Sequence, residues 1–136
     1  PGRTSLARGE FVTAFRLPKP QPRSSDAYLR FIPRTEMDIA VVGVGVWLGL
    51  DASGACTHAR VGLGAVAPTP LLVAEAAKAL IGTRVDAAAL AALAAATSAA
   101  CKPIDDKRGT IDFRIKVAGV LARRAAQTAL ERARAR

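Results

Sequence analysis

Two arginines stand in the stretch AYLRFIPRTEMDIAVVGVGV, which runs from Ala27 to Val46. Arg30 closes an extended segment, and Arg34 lies in the loop leading to the next one. Two permanent cations are therefore expected beside one end of a sheet, a setting that suits an anionic ligand or a polarised ring on a neighbouring domain. Asp105-Asp106 followed by Lys107-Arg108 allows a metal-binding or acid–base pair, but carboxylates flanked by cations are more often a salt-bridged loop. Gly43-Val44-Gly45 lacks a third glycine and falls inside a strand pattern, so it does not predict a phosphate cradle. His58 is the single histidine, and Cys56 and Cys101 lie far apart without a Cys-x-x-Cys, which gives no metal-ligand spacing. Both cysteines are expected to be reduced and buried. No serine, cysteine or lysine has a visible activating partner, so no independent catalytic site is expected.

The elements that position these residues come from an unusual composition. The 136 residues are 51% hydrophobic but only 4% aromatic, so the core must be built from Ala, Val and Leu in thin, closely packed layers. The formal charge of +9 comes mostly from arginine and would attract nucleic acid, an acidic membrane or an acidic protein face. The basic residues are scattered, however, and only four Phe, one Tyr and one Trp could stack on bases, which argues against a nucleic-acid interface. A free-standing basic interaction module, binding nucleic acid or an acidic protein, is the alternative reading. The chain opens on Pro1 without a Met and is expected to be an excised or processed piece. It has neither a signal segment nor an apolar run of membrane-spanning length, and is expected to be cytoplasmic.

Glu10 to Leu17 alternates weakly before Pro18 and reads as a short strand. Lys19 to Ser25 is a Pro-rich linker. Asp26 to Ile32 is extended and closed by Pro33. Ile39–Leu50 and Ala55–Ala67 flank the turn signal Asp51-Ala52-Ser53-Gly54 and form a hairpin. Pairing around a four-residue turn sets Leu50 opposite Ala55, Leu48 opposite Thr57, Val46 opposite Ala59 and Val44 opposite Val61, with His58 opposite Trp47. One face is then Val42, Val44, Val46, Leu48, Val61, Leu63 and Ala65. The other carries Gly43, Gly45, Trp47, His58, Arg60, Gly62 and Gly64, where mid-strand glycines let another backbone or domain approach.

After Pro70 the pattern turns helical. Helices are expected over Ala74–Ile81, stopped by Gly82, over Asp86–Ala100 with Asp86 as the N-cap, and from Thr110 to the C-terminus. The last has Asp112 in its first turn, arginines toward its end, and a buried stripe of Ile111, Ile115, Ala118, Leu121, Ala122, Ala125 and Ala129. Three helices over one face of an antiparallel sheet of three to four strands make a two-layer α+β sandwich.

Several motifs, in this order, resemble the C-terminal domain of the FAD-binding (medium) subunit of molybdenum hydroxylases, the carbon monoxide dehydrogenase and xanthine dehydrogenase group. They are Pro1-Gly2-Arg3-Thr4 with Glu10–Pro18, Ala27-Tyr28-Leu29-Arg30-Phe31, and Asp38-Ile39-Ala40-Val41-Val42. Then follow Ala59-Arg60-Val61 through Pro68-Thr69-Pro70, Pro103-Ile104-Asp105-Asp106-Lys107-Arg108-Gly109, and Phe113-Arg114 with Leu121–Ala125. The resemblance implies that residues 1–18 are the tail of the preceding FAD-binding domain, 19–25 a linker, and 26–136 the domain itself. It implies a part in a multi-subunit oxidoreductase rather than catalysis by this piece alone. FAD would be held mostly by the upstream domain. The molybdenum cofactor and [2Fe-2S] clusters would lie in the large and small sister subunits. Arg30 falls where the family carries a basic residue, often Lys, that reaches the flavin ring, and Val12 where an apolar residue lies against it. A planar guanidinium in place of an ammonium changes the hydrogen-bond geometry. The competing role for Arg30 is a salt bridge to Glu36 or Asp38.

Overall fold

The β-branched run after Ala40 forms the centre of a sheet. In the computed structural model, which describes residues 2–36 and 39–136, four strands pair antiparallel in the order β1-β2-β3-β4. They are β1 (Ser24–Phe31), β2 (Val42–Leu50), β3 (Cys56–Gly64) and β4 (Leu71–Leu72), followed by α1 (Ala74–Lys78), α2 (Ala87–Ala100) and α3 (Ile111–Arg134). Pro1 and Asp38 lie outside the described residues. β1 begins at Ser24, so two residues expected in the linker are already in the sheet.

The helices cover one face. α3 packs on β1 and β2 and against α2, while α1 lies against β3 and α2. The seam is alanine: Ala118, Ala122, Ala125, Ala126, Ala129 and Ala133 are fully buried under Val42, Val44, Val46, Leu48 and Val61. With so little side chain between layers, backbones approach closely. α2 and α3 also approach closely at Gly119, where a Cβ would lie 2.8 Å from Ser98 Oγ and 3.2 Å from the Ala94 carbonyl oxygen.

The hairpin register departs from expectation by one residue next to the turn and by two from Gly49 onward. Leu50 pairs with Cys56, Leu48 with Ala59, Val46 with Val61 and Val44 with Leu63. The Asp51 carboxylate accepts from Ser53 N, Ser53 Oγ and Ala55 N, which draws Ala55 into the turn and lengthens the loop by one. Thr57 is then an unpaired bulge residue, because Gly49 pairs with His58 while Leu50 pairs with Cys56. A slip of two preserves face parity, so the expected apolar face survives from Val42 to Leu63. His58 consequently faces Gly49, and Trp47 faces Arg60. Ala65 is the exception: at φ 64 it turns the chain out of the strand and is exposed, and Val66 is buried in its place.

Other expectations need correction. Residues 10–17 form no strand, and Phe11, Val12, Phe15 and Leu17 are exposed. Among the described residues no strand pairs with this segment, and an extended chain without a ladder partner is not a strand. α1 ends at Lys78 rather than Ile81, its remaining turns closing through Leu80 and Ile81 amides onto the Ala77 carbonyl before Gly82 at φ 82. α2 and α3 begin as expected, Asp86 accepting from Ala89 N and Thr110 from Phe113 N. Ile111 is exposed rather than part of the buried stripe of α3, and Arg114 is buried instead.

Candidate functional site

The uncovered face of the sheet begins with Asp26, Tyr28 and Arg30 of β1, which alternate with the inward Ala27, Leu29 and Phe31. Across from them stand Trp47, Gly45 and Gly43 of β2. Arg60, Gly62 and Gly64 of β3 continue the surface, and Leu72 of β4 lies beside Gly62 with its side chain exposed. The Tyr28 ring bends diagonally along the sheet: a Cβ on Gly43 would come within 2.6 Å of its Oη and 3.3 Å of its Cζ. Diagonal cross-strand neighbours are within reach of an aromatic side chain, and glycines leave it room to lie flat.

Arg30 is exposed on this face, opposite Gly43. Among the described residues it forms no ion pair, so the alternative bridge to Glu36 is not made, and Asp38 lies outside those residues. Its charge is therefore presented outward, which fits the approach of an electron-rich or anionic ring. Val12 is also exposed, but the hydrogen bonds of residues 2–20 are local, joining Leu6 N to Thr4 Oγ1, Ala7 N to Glu10 Oε2 and Glu10 N to the Ala7 carbonyl. Hydrogen bonding does not tie Val12 to the face that carries Arg30.

Arg34 belongs to a second surface. With Pro33, Lys107 and Arg108 it lines a cleft of about 340 Å³. The loop after β1 and the turn before α3 meet there, a juxtaposition across more than seventy positions that spacing alone cannot reveal. Asp105 and Asp106 are loop-forming carboxylates, as the adjacent cations suggested. Asp105 Oδ1 accepts from Ile111 N at the start of α3, and Asp106 Oδ1 accepts from Arg108 N at 2.7 Å and from Arg114 Nη2 at 2.7 Å. The Arg108 amide, and then the Arg114 guanidinium, hold the Asp106 carboxyl below the usual carboxylate range.

Arg114, to which its motif alone assigned no role, is 4% exposed and organises this corner. It also donates from Nη1 to the Val41 carbonyl at 2.9 Å and from Nε to the Gly109 carbonyl at 3.3 Å. A signal existed: Arg114 stands four residues before Ala118 on the stripe that becomes buried. Phe31 and Phe113 pack edge to face beside it, with centroids 5.6 Å apart. Phe31 and Val41 are thus both held by the first turn of α3.

The arginines ending α3 are partly engaged as well. Arg132 Nη1 donates to the Asp26 carbonyl at 2.8 Å and Arg136 Nη1 to the Ser24 carbonyl. The Arg23 and Phe31 carbonyls accept from Leu50 N and Val41 N, so the alternate carbonyls at Ser24 and Asp26 face outward from the edge of β1. The two arginines cap that edge, which protects it from pairing with another strand. Cys56 and Cys101 are free and buried, and burial pushes both thiols up. Among the described residues no group of three or more His, Cys, Asp or Glu side chains could hold a metal ion. Nor, among the described residues, is any helix long and apolar enough to cross a membrane.

A sheet open on one face, with three helices on the other, defines a two-layer α+β domain whose exposed face carries a row of mid-strand glycines. The profile of the CO dehydrogenase flavoprotein C-terminal domain matches residues 27–129, and the chain belongs to that family. The carbon monoxide dehydrogenase medium chain of Afipia carboxidovorans is 39% identical over 131 residues, which cover 96% of this chain and 45% of that protein. A solved structure of reconstituted CO dehydrogenase from Oligotropha carboxidovorans superposes with a TM-score of 0.87 at 38% identity, over 95% of this chain and 44% of the other. Quinoline 2-oxidoreductase from Pseudomonas putida 86 superposes at 0.75 with 26% identity, over 82% of this chain and 39% of its own. The chain spans less than half the length of these relatives.

Proposed function

We propose that this chain is the C-terminal part of the FAD-carrying subunit of a molybdenum-containing hydroxylase or dehydrogenase of the carbon monoxide or xanthine dehydrogenase type. Residues 1–18 would be the tail of a preceding FAD-binding domain, 19–25 a linker whose last two residues already open β1, and 26–136 the domain that closes one side of the flavin site. The partners are the FAD domain of the same subunit, an iron–sulfur small subunit and a molybdenum large subunit, in the cytoplasm. FAD bound in such a subunit would take up electrons that leave the molybdenum centre through two [2Fe-2S] clusters and pass them to an acceptor.

This chain's own contribution would be steric and electrostatic. The Tyr28 ring covers Gly43, so the lane left for a partner is Gly45, Gly62 and Gly64, which would let a flat surface sit against the sheet and exclude water. Arg30 would set a fixed positive charge at the rim of that surface. A cation beside a flavin favours added negative charge on the ring and so raises its potential, which is the usual means by which a protein tunes a redox cofactor. Val12 would lie against the ring system once residues 10–17 find ladder partners in the upstream domain. That also accounts for the exposure of Phe11, Val12, Phe15 and Leu17 here.

The observation that carries the reading is Arg30, exposed at the end of β1 and in no ion pair among the described residues. In the full parent subunit, Arg30→Ala is expected to lower the flavin potential or the FAD occupancy, read by spectroelectrochemistry and by the flavin-to-protein ratio. If neither changes, Arg30 does not face the flavin.

A further inference from the structure

We propose that Tyr28 is a positioning residue for Arg30, holding the guanidinium off the sheet so that its charge stands up from the open face. The inference rests on the reading that Arg30 faces the flavin, and adds how the arginine is aimed. Tyr28 and Arg30 are two positions apart on β1 and so share a face. The side chain opposite Arg30 would belong to Gly43 and is missing. A long side chain beside a glycine ordinarily folds down into the vacancy, covering apolar surface with its methylenes. Here that space is occupied. The Tyr28 ring lies over it, its Oη 2.6 Å from where a Gly43 Cβ would stand and its Cε2 3.4 Å away, while Cδ2 lies 3.7 Å from the equivalent point on Gly45.

The occupancy works in one direction. Gly45, directly opposite Tyr28, leaves the ring free to tilt toward the end of β1, and Gly43 lets it lie flat there. An aromatic ring with two torsions is rigid, whereas arginine has four and loses much more freedom when it is fixed. A rigid neighbour that removes the collapsed conformers therefore orders Arg30 before any partner arrives. Pre-ordering one long side chain changes affinity by about two- to tenfold. The ring supplies this effect, not the hydroxyl, because Cζ and Cε2 already fill the space.

The experiment combines potentials of the full parent subunit with nitrogen-15 relaxation of the Arg30 Nε in the chain. Tyr28→Leu keeps an apolar strand residue too short to cover Gly43, and Tyr28→Phe keeps the ring. Tyr28→Leu is expected to lower the flavin potential in the same direction as Arg30→Ala and by less. It should have no further effect once Arg30 is Ala, and it should make the Nε more mobile. Tyr28→Phe should behave as the unsubstituted protein in both measurements. Thermal melts check that each variant is folded, and Tyr28→Val replaces Tyr28→Leu if the latter is not. If Arg30→Ala shifts the potential and Tyr28→Leu moves neither the potential nor the relaxation, the positioning role is wrong while the flavin reading stands. If Arg30→Ala shifts nothing, the flavin reading itself is wrong and the positioning role falls with it. An equal shift for Tyr28→Leu in the Arg30→Ala background would mean that Tyr28 acts on its own and would overturn the proposal.

Discussion

The two faces of the sheet are built from the same three strands and solve opposite problems. On the covered face every second residue of the central strand β2 is Val or Leu, and the alanine seam of α3 brings a helix backbone down onto it. On the open face the same strands alternate to Gly43, Gly45, Gly62 and Gly64, interrupted by Tyr28, Trp47 and Arg60. Small residues appear on both sides of the comparison, for different reasons. The alanines on α3 are small because a neighbour is already in contact. The strand glycines are small where the Tyr28 ring covers Gly43 and only touches the space over Gly45, and where nothing lies close to Gly64, which is costly for a strand unless a partner needs the space. Arginine divides the same way: Arg114 is buried and bound by three acceptors, whereas Arg30 is exposed.

The largest effect expected from breaking this contrast is at Arg114. Arg114→Ala removes the charged donor from the buried Val41 carbonyl, releases Gly109 and leaves a cavity at the start of α3. The cost should be about 2–4 kcal/mol, measured by urea unfolding. A loss below about 1 kcal/mol would show that the corner re-forms without it. The same corner should be acid-sensitive. Because the folded state holds the Asp106 carboxyl below its ordinary value of 3.8, its contribution is fully present above that value. It is lost as pH falls below 3.8 toward the depressed folded value. Asp106→Asn should flatten that acid limb and leave the neutral-pH slope unchanged.

The covered face should next tolerate less than its alanine composition suggests. Gly119→Ala improves helix propensity by up to about 1 kcal/mol, but its methyl meets the Ala94 carbonyl, which is backbone and cannot rotate away. Ser98 Oγ can turn, at the loss of its hydrogen bond to the Ile115 carbonyl at 3.1 Å. Overpacking of this kind costs about 1–3 kcal/mol, so the net is a loss of about 1 kcal/mol, seen as a lower denaturation midpoint with unchanged slope. A gain instead would mean that α2 and α3 are free to move apart.

What was legible in the chain follows physical range. Helix caps at Asp86 and Thr110 and the hairpin turn at Asp51 are decided within a few residues, and each stands where the local pattern put it. Face parity was legible because alternation survives any even slip. The register was not, because it depended on Ala55 joining the turn and on a bulge at Thr57 that no periodicity marks. The segment from Glu10 to Leu17 has strand character without a strand, since a ladder needs a partner and alternation cannot supply one. Arg30 could be singled out because it lies in an ordered motif. The cleft that joins Arg34 to Lys107 and Arg108, and the burial of Arg114, are products of tertiary contact between segments distant in sequence.

The smallest effect tests the open face most directly. A Cβ on Gly45 would meet only Tyr28 Cδ2, at the ordinary contact distance of 3.7 Å, so Gly45→Ala should be accommodated without strain. Replacing a strand glycine also removes unfolded-state freedom, and this chain should gain up to about 0.5 kcal/mol in thermal or urea unfolding. If stability were all that this face served, alanine would be the better residue. A methyl group standing on a lane that receives a flat partner should instead weaken that docking, so the same substitution should lower FAD retention in the parent subunit while raising the stability of the chain. Opposite signs in the two measurements would mark the glycine as kept for the partner. Matching signs would return the open face to an ordinary solvent surface and remove the difference between the two sides of the sheet.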